Sequence, residues 1–79
     1  MPTVLLKDGF RFFFYSSEGN EPEHIHVSKG DAVGKIWLEP ALKITYLYNF
    51  TTREEKNIIE IVRINFEYFK LKWNEHFSK

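Results

Sequence analysis

Residues 51–79 run without a glycine or a proline, whereas all four glycines and all three prolines fall in the first 40 residues. This asymmetry assigns turns and strands to the first part of the chain and a helix to the last. Thr51 followed three residues later by Glu54 is a capping box, and Thr52 with Glu55 repeats the chemistry one step on. Glu54 and Glu55 at the start, and Lys70, Lys72 and His76 near the end, complement the helix dipole. The pattern predicts one long helix from Thr51 to about Phe77. At about 100° per residue, Ile58, Val62, Phe66, Phe69, Trp73 and Phe77 share one stripe. Ile61, Ile64, Tyr68 and Leu71 make a second, and Glu60, Arg63, Glu67, Lys70 and Asn74 fill the polar wedge. The first stripe should pack on a sheet. The second needs a different cover: residues 41–50, a second copy of the chain, or a partner protein.

The strands are set out by punctuation. Thr3 to Lys7 and Phe10 to Tyr15 flank Asp8-Gly9, a strong short hairpin signal. In the second run Phe10, Phe12 and Phe14 point one way and Arg11, Phe13 and Tyr15 the other, so rings occupy both faces and the strand should be central. A polar loop, Ser16 to Glu23, leads to His24–Lys29, where Ile25 and Val27 alternate with His24, His26 and Ser28. Gly30-Asp31 turns the chain into Ala32 to Leu38, and Glu39-Pro40 stops that strand. Residues 41–50 fit a buried strand or a short helical turn equally well. The expected architecture is α+β, a small antiparallel sheet of about four strands against one long C-terminal helix, in a single domain over residues 1–79.

With 79 residues the chain buries only about 60% of its unfolded surface, and its 18% aromatic content supplies large side chains for that small core. It has no cysteine, which excludes disulfides and thiolate metal sites and suits a reducing compartment. No signal-peptide pattern opens the chain and no apolar run reaches membrane length, so a cytoplasmic location without membrane contact is expected. Eleven basic and eleven acidic residues cancel. Such neutrality disfavours a grip on nucleic acid through phosphates alone, leaves room for a local basic patch, and lowers the barrier to a homodimer.

Chemistry concentrates at His24 and His26. Alternation places both on one strand face, roughly 7 Å apart. Two imidazoles so spaced suit three roles. They can form a polar strand surface that meets solvent or hydrogen-bonds neighbouring loops, divide general acid and base duties, or hold zinc or another divalent metal. Arg11, Tyr15 and Lys35 interrupt apolar strands and are the accompanying catalytic candidates; a cation beside a histidine pair suits phosphate chemistry on RNA. Snorkelling at a sheet edge accounts for Arg11 and Lys35 equally well. Glu18, Asn20 and Glu21 in the polar loop, and Ile61, Ile64, Tyr68 and Leu71 on the helix, are the binding candidates.

The opening MPTVLLKDGFRFFFYSSEGNEPEHIHV, the segment KIWLEP and the Trp-Asn-Glu-His-Phe ending together resemble the small bacterial DUF4160 family, of unknown function. The shared motif falls on Phe14, Tyr15, Ser16, Glu18, Gly19, Asn20, Glu21, Pro22, His24, His26 and Val27, with Glu23 where a second proline is expected. The resemblance implies a gene beside that of another small protein, and on that basis a toxin–antitoxin-like pair. Two functions are therefore carried forward: a toxin-like, RNA-directed member of a two-gene module, and a non-enzymatic interaction module that binds a partner through the second helical stripe.

Overall fold

Five antiparallel strands form the sheet, one more than expected. They are β1 (Thr3–Lys7), β2 (Phe10–Phe13), β3 (His24–Lys29), β4 (Ala32–Trp37) and β5 (Lys43–Tyr48), side by side in chain order. The computed structural model describes residues 3–15 and 20–77. The additional strand comes from the ambiguous segment 41–50, which the chain reaches through a cis Glu39–Pro40 bond. Asp8 (φ 54°) and Gly9 (φ 84°) supply the two left-handed residues of the β1–β2 hairpin turn, as the Asp-Gly pair predicts.

One glycine makes the β3–β4–β5 packing feasible. A Cβ at Gly34 would lie 2.5 Å from Leu47 Cδ2, 3.0 Å from the Tyr46 carbonyl oxygen and 3.1 Å from Val27 Cγ1. Val27 and Leu47 close over the space a side chain there would need. The register shifts between Lys35 and Ile36, so that Lys35 pairs with Tyr46 while Ile36 pairs with Ile44. This irregularity keeps Tyr46 on one face of the sheet and Ile44 on the other.

The long helix is two helices, α1 (Thr52–Ile64) and α2 (Phe66–Phe77), joined at Asn65. The capping box is present: Glu54 N donates to Thr51 Oγ1 at 3.1 Å, and Thr51 N donates to Glu54 Oε1 at 2.9 Å. At Asn65 the backbone amide (2.9 Å) and the side-chain Nδ2 (2.8 Å) both donate to the Ile61 carbonyl. A side chain competing for its own helix's carbonyl bends the helix, and the four-residue bond ladder resumes with Phe69 N to Asn65 O. No breaker residue marks this joint.

Both helices pack on one face of the sheet. Ile58, Ile61, Val62, Phe69 and Trp73 join Phe10, Phe12, Phe14, Ile25, Val27, Ile36 and Leu38 in one buried core. The first stripe thus faces the sheet as expected. The second divides: Ile61 enters the core, while Ile64, Tyr68 and Leu71 are 66%, 40% and 55% exposed. Residues 41–50 do not cover that stripe, because β5 is an edge of the sheet. Among the described residues no helix is long and apolar enough to cross a membrane.

Candidate functional site

Among the described residues, α1 and α2 leave most of the other face of the sheet open, and Trp73 of α2 reaches only its His24 end. Alternation and register arrange its side chains in cross-strand rows. One row runs Phe13, His26, Lys35, Tyr46; a second runs Arg11, Ser28, Val33, Tyr48; a third runs His24, Trp37, Lys43. The charge distribution is uneven in a way that the neutral total conceals. The five strands hold Lys7, Arg11, Lys29, Lys35 and Lys43 but no Asp or Glu. Every Asp and Glu among the described residues lies in a loop, a turn or a helix. Of the strand cations, Arg11, Lys35 and Lys43 occupy the uncovered face, together with Phe13, Trp37, Tyr46 and Tyr48. Tyr15 stands just beyond the end of β2.

Sequence reasoning gathered Arg11, Tyr15, His24, His26 and Lys35 as one group, and the fold brings all five to this face. It does not present the histidines to solvent. His24 is fully buried and His26 is 5% exposed. Aromatic rings pack against both. His26 stacks on Phe13 with centroids 5.5 Å apart, and meets the Tyr15 ring at 4.6 Å. His24 contacts His26 at 5.0 Å, Trp37 at 5.4 Å and Trp73 of α2 at 4.8 Å. The solvent-facing form of the His-x-His-x-Ser surface is therefore corrected, while His24 does hydrogen-bond the neighbouring loop, at Pro22. Period-2 alternation gives the face but not what lies over it.

His24 Nδ1 lies 2.9 Å from the Pro22 carbonyl oxygen, which can only accept, so Nδ1 carries the proton. Glu21 is the hinge of the local polar network: its Oε1 accepts from Lys35 Nζ at 2.9 Å and sits 3.9 Å from His24 Nδ1. These contacts hold residues 21–24 against the sheet. The Lys35 ammonium also lies 4.4 Å from the Trp37 ring centroid. Arg11 Nε donates to Thr3 Oγ1 at 2.8 Å while its guanidinium lies 4.4 Å from the Phe13 centroid. Both cations thus rest on ring faces of this side of the sheet.

The arrangement is better suited to binding than to turnover. An acid or base must come within hydrogen-bond reach of the substrate, and His24 has no exposed surface. For a metal, His24 and His26 are adjacent, yet no group of three or more His, Cys, Asp or Glu side chains among the described residues is placed to hold an ion. Of the other candidates, Asn20 and Glu21 are exposed, and Glu18 lies outside the described residues.

Sequence reasoning missed two features. Tyr46, Tyr48 and Lys43 were lost because the segment holding them had no assigned secondary structure. The second is the burial of Glu23, whose Oε1 has no hydrogen-bond partner among the described residues. Burial raises the Glu23 carboxyl above the usual carboxylate range, Glu39 adds to the rise, Lys70 opposes it, and Glu67 adds a little more. The Lys70 ammonium is held above its ordinary range chiefly by its hydrogen bond to Glu39, 3.0 Å away.

Searches of curated proteins and of solved structures returned no significant match. The family model described as "Domain of unknown function (DUF4160)" matches residues 9–74, which takes in β2 to β5, both helices up to Asn74 and the whole histidine motif. The chain belongs to the DUF4160 family, a domain of unknown function.

Proposed function

We propose that the uncovered sheet face binds single-stranded RNA, as the RNA-directed member of a two-gene, toxin–antitoxin-like module in the bacterial cytoplasm. The observation that carries this reading is the face itself, where exposed rings alternate with cations and no strand carries a carboxylate. Tyr15, Tyr46 and Tyr48 are 40%, 44% and 61% exposed, and Trp37 is half-buried. Base stacking on such rings contributes about 1–3 kcal/mol per base and tolerates any sequence. Arg11 and Lys43 supply charge for phosphates at the two ends of the array, while Lys35 at its centre is neutralised by its pair with Glu21. The buried histidine pair then serves the face structurally, by holding Phe13, Tyr15 and Trp37 in place. An antiparallel sheet that displays aromatics to unstacked bases is a recurrent solution to single-strand recognition.

The test is fluorescence anisotropy with a labelled uridine-rich RNA at two salt concentrations. Wild-type protein should bind, and affinity should fall as salt rises. Tyr46→Ala and Tyr48→Ala should each weaken binding roughly 5- to 100-fold, the range set by one lost stack. Binding that is unaffected by both substitutions would refute the reading.

A second function is favoured by one observation: the exposure of Ile64, Tyr68 and Leu71 on the helices. This patch suits a protein contact, with the neighbouring-gene product or a second copy as occupant. Gel filtration and co-purification of wild-type and Ile64→Glu protein test it. The patch is assigned wrongly if the substitution leaves every association unchanged.

A further inference from the structure

A cavity of about 450 Å³ opens where the third row of the uncovered face ends. Pro22, Trp37, Glu39, Pro40, Leu42 and Lys43 line it. Two of these, Trp37 and Lys43, also belong to the aromatic–cationic face, so the cavity continues that surface rather than standing apart from it. Its size lies in the usual range for small-ligand pockets, about 300–1,000 Å³. The lining combines one large ring, two prolines and an aliphatic chain with two charges of opposite sign. Flat apolar walls fit a planar heterocycle, and a lysine in the lining suits the phosphate attached to it.

We propose that this cavity takes one unpaired guanine base of the bound RNA, with Glu39 reading its Watson–Crick edge. The proposal rests on the RNA-binding reading of the adjoining face and names what the end of that face selects. The argument for guanine is chemical. An ionised carboxylate only accepts hydrogen bonds, and it has two oxygens to do so. Guanine alone presents two adjacent N–H donors on that edge, N1–H and the N2 amino group. Adenine and cytosine set an acceptor beside their amino group, and uracil sets its single N–H between two carbonyls. Each would leave an acceptor facing the carboxylate. The Glu39 side chain is 46% exposed, and Lys70 holds its Oε2 from the helix side at 3.0 Å. That contact fixes the carboxylate's orientation without exhausting its acceptor capacity. Trp37 supplies the aromatic wall of the cavity, with Lys35 covering one face of its ring at 4.4 Å and leaving the other for a base.

The experiment compares labelled RNAs that differ at one position: uridine throughout, or a single central guanosine, adenosine or cytidine. Wild-type protein should bind the guanosine RNA on the order of tenfold more tightly than the others, the discrimination expected of a two-bond base contact. Glu39→Gln, which replaces one acceptor with a donor, should bind all four at the uridine level. Circular dichroism checks that this variant is folded. Independently of any variant, guanosine monophosphate should quench wild-type tryptophan emission and displace the guanosine RNA at lower concentration than adenosine monophosphate. Equal binding of all four RNAs overturns the guanine pocket while leaving the RNA-binding face intact. No binding of any RNA overturns both. A proline-rich peptide that quenches tryptophan emission, with no discrimination among RNAs, would reassign the cavity to protein recognition.

Discussion

Replacing His24 with alanine separates a packed histidine from a surface one. Strand alternation alone predicts a harmless change, because the side chain stands opposite Ile25 and Val27. The structure predicts the reverse. The imidazole is fully buried, with Trp73, His26 and Trp37 at 4.8, 5.0 and 5.4 Å between ring centroids. Truncation leaves a void between two tryptophans and removes the donor from the Pro22 carbonyl. Ring truncation in a core costs about 3 kcal/mol at the lower end of the aromatic range, and the lost hydrogen bond about 1 kcal/mol. A domain of this size shifts its melting point by about 4–8 °C per kcal/mol, so a fall of about 15–30 °C is expected. Urea unfolding followed by tryptophan emission and by circular dichroism measures the change, with Ser28→Ala on the same face as the control. His24→Asn retains a donor near the Nδ1 position and should recover part of the hydrogen-bond contribution but not the packing. A His24→Ala midpoint within about 0.5 kcal/mol of wild type, the usual size of a surface change, would show that the aromatic cover is absent in solution.

Gly34→Ala should destabilise by about 1–3 kcal/mol as the new methyl group pushes on Leu47, Val27 and the Tyr46 carbonyl, and thermal melting reads it directly. Ile64→Glu should leave the fold within about 0.5 kcal/mol of wild type, whereas Ile61→Glu should unfold it, because only the second places an unpaired charge in the core. Glu23→Gln should raise the melting point at neutral pH. The folded-state pKa of Glu23 is raised, so its ionised form opposes folding above that pKa and the opposition fades as pH falls below the ordinary glutamate value. The gain from glutamine should therefore shrink toward zero in a melting series taken down through about pH 4.

How much of this was legible in the residues differs by element. The hairpin at Asp8-Gly9 and the capping box at Thr51 are local devices, and local chemistry specified both. The core-facing stripe of Ile58, Val62, Phe69 and Trp73 followed from helical periodicity. The division of the helix did not, because Asn65 acts through a side-chain bond to the Ile61 carbonyl that composition does not announce. β5 was ambiguous because an edge strand has only one neighbour, and Ile44, Tyr46 and Tyr48 are exposed instead of patterned by burial. The histidine motif shows the limit most clearly. Spacing placed His24 and His26 on one face, but the rings that pack against them, Trp37, Tyr15 and Trp73, are far from one another in sequence. The charge asymmetry of the sheet was hidden in the same way, since a net charge of zero averages basic strands with acidic loops.

The central claim is that the aromatic–cationic sheet face contacts single-stranded RNA, and backbone chemical-shift mapping during titration with a short uridine-rich RNA tests it most directly. The account predicts shifts concentrated at Arg11, Tyr15, Lys35, Trp37, Lys43, Tyr46 and Tyr48, with the exposed helix residues Ile64 and Leu71 unmoved. Shifts centred on the helices, or none at RNA concentrations well above that of the protein, would contradict it.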